Sequence, residues 1–132
     1  MKKIFLALLL LTVSLFAELK NEYISQKLLD SGTPIVDIRT AGEWRESGLL
    51  PNAIPITFFD ERGNYNINAF LTELNKKVDT KKPFAIICHT GSRTGMLAPF
   101  LSEKLNYKVI NLKGGMDYAT RVLHLKTYKY MK

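Results

Sequence analysis

Cys88 is the only cysteine of the 132-residue chain, and its position suits a nucleophile. The apolar run at 83–87 predicts a buried strand that Cys88 ends, and a short turn then leads into a predicted helix at Arg93. The unpaired N–H groups of a helix start and the guanidinium group of Arg93 favour negative charge, so we expect them to favour the thiolate. A lone cysteine there can also be a small core residue. Because Gly91, Ser92 and nearby hydroxyl groups suit an anion better than a core, the sequence favours a nucleophile.

Residues near Cys88, and two on an earlier strand, are candidates for substrate binding or support. The loop candidates are His89, Thr90, Gly91, Ser92, Arg93 and Thr94. His89 either steers anions or lies exposed in the pocket wall, since no carboxylate is evident to orient it as a general base. Asp37 and Arg39 stand at the carboxyl end of the predicted strand 34–38. They either bind substrate or, as we favour, support the loop as an internal ion pair or through backbone hydrogen bonds. His124, in the basic tail, is expected at the surface.

Three motifs of the chain resemble those of the rhodanese family of sulfurtransferases. They are Ile35-Val36-Asp37-Ile38-Arg39 followed by Glu43-Trp44, the loop Cys88-His89-Thr90-Gly91-Ser92-Arg93-Thr94, and Val109-Ile110-Asn111-Leu112-Lys113-Gly114-Gly115-Met116. The motifs occur in the family's order, and the resemblance covers about residues 20–122. One segment differs, because the family usually shows Gly-His-Ile-Pro-Gly-Ala where this chain has Gly48-Leu49-Leu50-Pro51-Asn52-Ala53. The resemblance therefore leaves the shape of that edge of the pocket undefined.

The resemblance implies a rhodanese-like three-layer α/β/α fold with a central, mainly parallel sheet. It also implies a sulfurtransferase that carries a sulfane sulfur as a persulfide on Cys88. The expected donor is thiosulfate or a related small sulfur anion, and the expected acceptor is a thiol or cyanide. N–H groups of the loop would stabilise the persulfide, while Arg93, with Ser92 and Thr94, would hold the donor's oxygens. We expect neither a metal nor an organic cofactor.

Two other function classes remain open. Cell-cycle dual-specificity phosphatases resemble rhodaneses in fold and also use a cysteine and an arginine, with one more residue between them. Here Cys88 and Arg93 enclose four residues, and the tighter ring favours a single sulfur over a tetrahedral phosphate. The other alternative is a non-catalytic binding or redox-sensing module on the same fold.

Strands alternate with helices along the chain, which predicts a parallel sheet covered on both faces. The predicted helices are 23–29, 41–46, 68–77 and 93–105, the predicted strands are 34–38, 53–56, 83–87 and 109–112, and 58–66 is a predicted loop. Trp44 is predicted in the core, and Pro99 is a defect at which the last helix can kink. Because ligands of such sheets bind at the carboxyl ends of the strands, we expect Asp37, Cys88 and Gly114 to meet there.

Residues 1–17 predict a secretory signal peptide. Two lysines precede the apolar run 4–16, which is shorter than the roughly 20 residues of a spanning helix, and Ala17 precedes a polar segment. Cleavage after Ala17 would leave 18–132, enough for a single rhodanese-like domain. A retained anchor is the alternative. We therefore expect an exported, periplasmic protein with no stable membrane insertion after cleavage.

The formal charge of +7 comes mainly from scattered lysines. This pattern is typical of a solvated basic face that attracts small anions, so we expect no nucleic-acid partner. With one cysteine the chain cannot form an internal disulfide, and Cys88 would be a free thiol in an oxidising compartment. A free thiol makes chemical sense there if its working state carries a second sulfur. The sequence does not define the oligomeric state.

Overall fold

A five-stranded, all-parallel sheet forms the centre of the protein, and the computed structural model describes residues 18–131. The signal-peptide prediction falls on residues 1–17, which lie outside the described residues. The strands are β1 (Lys20–Tyr23), β2 (Ile35–Asp37), β3 (Ile54–Pro55), β4 (Phe84–Ile87) and β5 (Val109–Lys113), in the spatial order β1-β5-β4-β2-β3. The helices are α1 (Gln26–Asp30), α2 (Ala41–Ser47), α3 (Ile67–Lys77), α4 (Ser92–Glu103) and α5 (Gly115–Asp117), and a π-helical turn follows over Tyr118–Val122. The predicted parallel α/β architecture is confirmed.

Apolar side chains of the sheet alternate between two separate cores. On β4, Phe84 and Ile86 face the core that includes Phe70 and Leu74 of α3, together with Leu97 and Leu101 of α4. Ala85 and Ile87 point to the opposite core, which includes Leu28 of α1 and Met116 of α5. Successive residues of a strand point to opposite faces, so a continuous apolar run fills both cores. Apolar burial on the two faces fixes the register that brings the strand ends together.

β1 is the one strand that the sequence analysis does not predict. The predicted helix starts at Tyr23, but Tyr23 ends β1, and α1 begins only at Gln26. The helix starts there because the side chain of Ser25 accepts a hydrogen bond from the N–H of Leu28, at 3.1 Å. All four residues of β1 are exposed at the edge of the sheet, so they carry no apolar pattern.

The other predicted elements agree with the structure to within a few residues, whereas α5 and the π-helical turn after it have no counterpart among the predictions. A capping box, in which Thr40 and Glu43 bond each other's backbone N–H groups, fixes the start of α2. α4 ends at Glu103 rather than at residue 105, and Pro99 lies inside it. No helix among residues 18–131 is both long and apolar enough to cross a membrane.

The segment that differs from the family pattern is held by the carboxyl-terminal tail. The backbone of Leu49 exchanges two hydrogen bonds with Tyr128, at 2.9 and 2.7 Å. Leu50 is buried in the second core, at 1% exposure. Asn52 has a φ of 58° and stands where the family pattern has its second glycine. Because asparagine tolerates this left-handed conformation better than most residues, the turn forms without that glycine.

Candidate active site

Cys88 directly follows β4 and belongs to the α3–α4 core, where it has no exposed surface. Its Sγ accepts hydrogen bonds from the backbone N–H groups of Gly91, at 3.2 Å, and Thr94, at 3.5 Å. The Oγ1 of Thr94 lies 3.6 Å from the same sulfur. N–H groups of a loop and of the first turn of α4 therefore converge on the sulfur, an arrangement that favours negative charge there.

Gly91 lets the chain turn back over the sulfur. Its φ is 102°, a conformation that residues with a side chain rarely adopt. A Cβ at this position would also lie only 3.0 Å from the backbone nitrogen of Gly114. The glycine is therefore required by its backbone angle and by the closeness of the β5–α5 turn.

The start of α5 supports the loop from behind. The N–H of Met116 donates to the carbonyl oxygen of Cys88, at 2.8 Å, and the N–H of Asp117 donates to that of His89, at 2.9 Å. Gly115 lies against the same two carbonyl groups, and its φ is 56°. These contacts engage the carbonyl oxygens of Cys88 and His89 and so fix the backbone of the loop against the start of α5.

Arg93 makes a two-point ion pair with Glu43 of α2. Its two terminal nitrogens, Nη1 and Nη2, donate to Oε1 and Oε2 of Glu43, each at 2.7 Å. Both side chains remain about one quarter exposed. Fork-to-fork pairs of this kind are short, directional and stronger than single hydrogen bonds between neutral groups. Arg93 is therefore positioned by a carboxylate rather than left free to meet a substrate alone.

The same contact keeps Glu43 ionised. Hydrogen bonds from Arg93 lower the pKa of Glu43 from 4.5 to about 2, against the opposing effect of partial burial. The backbone N–H and hydroxyl of Thr40 add smaller contributions in the same direction. Glu43 in turn raises the pKa of Arg93. The pair is therefore fully charged over any physiological pH range.

Asp37 and Arg39 form a buried ion pair behind α2. Nη2 of Arg39 lies 2.8 Å from Oδ2 of Asp37, and the two residues are 1% and 0% exposed. Arg39 also donates to the carbonyl oxygen of Gly48 and to Oγ of Ser47, each at 2.7 Å. Asp37 accepts a further hydrogen bond from Nε1 of Trp44, at 3.1 Å. These bonds satisfy the buried charges and attach α2 to the end of β2.

The support for the loop is therefore indirect. Asp37 holds the indole of Trp44, and the residue before Trp44 on α2 is Glu43, which binds Arg93. The chain of contacts thus runs from the end of β2 through α2 to the start of α4. Substrate binding by Asp37 and Arg39, the other interpretation from the sequence, receives no support from their burial.

The predicted loop residues other than Arg93 fall into two groups. Gly91 and Thr94 contact the sulfur, whereas His89, Thr90 and Ser92 are exposed. Thr94 is fully buried, and its hydroxyl lies 3.6 Å from the sulfur. Trp44 is buried and His124 is exposed, as predicted. Within residues 18–131, no three His, Cys, Asp or Glu side chains are grouped so that they could hold a metal ion.

Glu43 is the residue at this site whose role the sequence analysis misses. Its position was available from two signals. Thr40 and Glu43 have the spacing of a capping box, which places the carboxylate in the first turn of a helix. This helix follows β2, and β2 is the parallel neighbour of β4, so their carboxyl ends meet at one edge.

Comparisons with known proteins agree with this architecture. A family model described as "Rhodanese-like domain" matches residues 17–120. An uncharacterized protein of Rickettsia prowazekii is 31% identical over 94 residues, which cover 68% of this chain and 74% of that protein. A protein named sulfurtransferase from Allochromatium vinosum is 29% identical over 100 residues, covering 75% and 83% of the two chains. The crystal structure of a rhodanese-like domain protein from Staphylococcus aureus superposes with a TM-score of 0.55 at 24% identity, over 74% of this chain and 88% of that one.

Proposed function

Because the chain belongs to the rhodanese-like domain family, we propose that it is a sulfurtransferase that carries a sulfane sulfur on Cys88. The observation that carries the proposal is the convergence of the N–H groups of Gly91 and Thr94 on Sγ, at 3.2 and 3.5 Å. Hydrogen-bond donors aimed at a sulfur stabilise its anion, and a thiolate is the form that attacks a sulfane sulfur. The sulfurtransferase name of the Allochromatium vinosum relative supports the same class of reaction.

In the first half-reaction, the thiolate of Cys88 attacks the outer sulfur of the donor. A new S–S bond forms on Cys88, the donor's own S–S bond breaks, and the bonding pair leaves with the departing group. With thiosulfate as donor, the departing group is sulfite. The product is a Cys88 persulfide anion, which the loop N–H groups and the dipole of α4 stabilise.

In the second half-reaction, an acceptor thiolate or cyanide attacks the outer sulfur of the persulfide. The bond between that sulfur and Sγ breaks, and the electron pair returns to Sγ as the thiolate. With cyanide the product is thiocyanate. Two easier displacements thus replace one direct transfer between two anions, and the resting enzyme is restored.

Other residues assist without bonding to the transferred sulfur. Arg93 and the hydroxyl of Ser92 meet the donor at the start of α4, where partial exposure leaves both within its reach. His89 and Thr90 form the exposed wall of the entrance. Asp37 and Arg39 are positioning residues, since they act through α2.

A phosphatase remains the second candidate, and the burial of Cys88 favours sulfur transfer over it. Cys88 has no exposed surface, so the space beside Sγ is confined. A single added sulfur needs less new space beside Sγ than a phosphoryl group with three oxygens. The four residues between Cys88 and Arg93 favour the smaller group for the same reason.

Mass spectrometry of the intact protein tests the proposal directly. The purified protein is incubated with thiosulfate, freed of excess donor and weighed before and after reduction. We expect a gain of one sulfur atom that a reductant removes, and none in Cys88→Ser. Hydrolysis of p-nitrophenyl phosphate without any sulfur gain would favour the phosphatase. A thiol that neither gains sulfur nor hydrolyses phosphate esters would favour the binding or redox-sensing module.

Export is part of the proposal as well. The basic start and short apolar run of residues 1–17 support cleavage after Ala17 and a periplasmic location. Amino-terminal sequencing of the native protein tests it, with Glu18 as the expected first residue. A native chain that still begins at residue 1 would support the retained anchor.

A further inference from the structure

An apolar groove lies between α4 and the segment 58–67. It has a volume of about 310 Å³, and its lining side chains include Phe58, Phe59, Tyr65, Met96, Leu97 and Phe100. Tyr65, Met96 and Phe100 are 61%, 69% and 36% exposed. Exposed apolar side chains that adjoin one another mark interaction sites, whereas single ones on a surface need no explanation. We call this space the Phe59 groove.

The surroundings of the Phe59 groove are acidic. One neighbouring cleft shares Phe59 and Met96 with the groove, and another shares Phe58 and Tyr65. The charged residues that line these two clefts are Glu43, Asp60, Glu61, Glu73, Lys77 and Arg93. Four carboxylates thus stand against two cations, in a chain whose formal charge is +7. An occupant that is both apolar and basic fits such a surface.

The carboxyl-terminal tail of this chain has that composition. The sequence from residue 118 to residue 132 contains no aspartate or glutamate, and its cations are Arg121, Lys126, Lys129 and Lys132. Eight large apolar or aromatic side chains are exposed among residues 18–131. Three of them line the Phe59 groove, and four lie in the tail, namely Val122, Leu123, Tyr128 and Met131. The exposed apolar surface is therefore concentrated on one acidic and one basic region.

The tail is held in an extended shape before any partner binds. The backbone of Tyr128 exchanges two hydrogen bonds with Leu49, and the ring of Tyr130 packs edge-on against Trp44, with centroids 5.2 Å apart. Lys126 and Tyr128 are exposed, whereas the residues on either side of Lys126 are half-buried. Such alternation turns every second side chain outward. Because the tail is already ordered, its docking costs less conformational entropy than that of a flexible segment.

The tail does not cover the groove of its own chain. Phe58 and Leu97 of the groove belong to the core on one face of the sheet, and Leu125 of the tail packs against the core on the other face. Both surfaces are exposed within one copy. A tail that occupies the groove is therefore supplied by another copy.

We propose that the Phe59 groove binds the carboxyl-terminal tail of a second copy of this chain. The exposed side chains of Tyr128 and Met131 enter the groove, and Lys126 and Lys129 face its acidic surroundings. If each copy supplies its tail to the other, both surfaces of both copies are covered and the assembly closes as a dimer. This contact is independent of the sulfurtransferase function proposed above.

Sedimentation velocity of the native protein measures the self-association. We expect the mass to rise from one chain toward two between about 1 and about 300 µM. Because opposite charges face each other across the contact, raising the salt from about 0.05 to about 0.5 M should weaken the association several-fold.

Two charge reversals assign the contact to its two surfaces. Glu61→Lys and Lys129→Glu should each weaken self-association several-fold, because each sets like charges opposite one another. An equal mixture of the two variants should associate again, since the lysine at position 61 of one copy then meets the glutamate at position 129 of the other. Glu22→Lys is the matched control, as Glu22 is exposed on β1 at the far edge of the sheet, and it should change nothing.

Two further variants test the apolar part of the contact. Met96→Ser changes the groove and Met131→Ser changes the tail, at side chains that are 69% and 82% exposed, so neither substitution removes a core residue. Each should weaken self-association about tenfold, because the apolar side chain no longer gains by burial. Melting curves check that the variants fold.

Three results would overturn the inference. The first is a native protein that stays a single chain at about 300 µM. The second is association that Glu61→Lys and Lys129→Glu leave unchanged, which would assign it to another surface, such as the apolar run of residues 1–17. The third is a mixture of the two variants that associates no better than either alone. None of these results bears on sulfur loading at Cys88, so the proposed function is tested separately.

Discussion

Gly115 leaves no room for a side chain between itself and His89: a Cβ built on Gly115 would lie 2.6 Å from the carbonyl oxygen of His89. The close approach brings the start of α5 against the back of the nucleophile loop. There the N–H groups of Met116 and Asp117 bond the two loop carbonyls. The glycine thus sets the distance between β5 and the loop that holds the sulfur.

Gly115→Ala should therefore impair both stability and sulfur loading. We expect a loss of about 2 to 4 kcal/mol in the free energy of unfolding, because the methyl group meets backbone atoms at a positive φ. Urea denaturation and intact mass after incubation with donor measure the two effects. Gly32→Ala is the matched control, since Gly32 has a φ of 76° but no atom within 4 Å of a Cβ there. It should cost only about 1 kcal/mol and leave sulfur loading intact. Equal losses in the two variants would show that backbone strain alone, and not contact with the loop, matters at Gly115.

Cys88→Ser should abolish sulfur transfer and leave the fold intact. A hydroxyl is similar in size to a thiol but does not form the anion that attacks a sulfane sulfur. Thiocyanate production should fall by at least about a thousandfold, as is usual when a nucleophile is removed. A melting curve checks the fold. Activity at the level of the native protein would remove Cys88 from the mechanism.

Arg93→Ala should slow loading from an anionic donor more than it slows discharge of the persulfide to a small thiol. Arg93 lies in the first turn of α4, and its loss leaves the carboxylate of Glu43 without its ion-pair partner. The donor's departing charge has already left before the second half-reaction. Single-turnover measurements of the two half-reactions give the comparison. Equal losses in both would mean that Arg93 only holds α2 against the loop.

The ion pair of Glu43 with Arg93 should make the free energy of unfolding depend on pH in the acid range. The pKa of Glu43 is about 2 in the folded protein and 4.5 in the reference state, so the unfolded chain binds the proton first as pH falls. The contribution of the pair to stability is therefore full above about pH 5 and is lost as the pH falls toward about 2. Urea denaturation of the native protein and of Glu43→Gln should give a difference in unfolding free energy that shrinks over this range. A difference that is constant from about pH 6 to pH 3 would contradict this linkage.

A residue inserted between Ser92 and Arg93 should weaken sulfur transfer and improve inhibition by phosphate. The insertion widens a ring whose N–H groups now converge on one sulfur, so they would no longer reach Sγ together. Inhibition constants for phosphate and thiosulfate on the native and lengthened loops measure the change. If both the transfer rate and the anion preference stay the same, loop size does not decide between sulfur and phosphate.

The parts of the site that are local in sequence could be predicted, and the parts that join distant segments could not. Cys88 and the loop after it form one continuous motif. The convergence of backbone N–H groups on the sulfur therefore follows from a strand, a turn and a helix start. The partner of Arg93 lies 50 residues earlier, on α2. The capping box places Glu43 in the first turn of its helix. No local pattern identifies the cation that the carboxylate of Glu43 binds.

Edge positions were missed for a related reason. Periodicity finds strands through the residues that they bury, and β1 buries none of its four. Its place in the sheet depends on backbone pairing with β5, in which Lys20 lies opposite Ile110. Tyr128 likewise contacts Leu49 through backbone hydrogen bonds. Such bonds do not depend on residue type, so the sequence does not reveal them.

The strand order β1-β5-β4-β2-β3 also determines when the chain can finish folding during its synthesis. The first strand pairs with the last, and the side chains of Asn21 and Asn111 on these strands bond across 90 residues of sequence. β1 thus has no neighbour until β5 has left the ribosome, and Gly115, behind the nucleophile loop, emerges still later. Contacts of such long sequence separation also slow folding after release. The nucleophile loop is therefore among the last parts of the protein to reach its working shape.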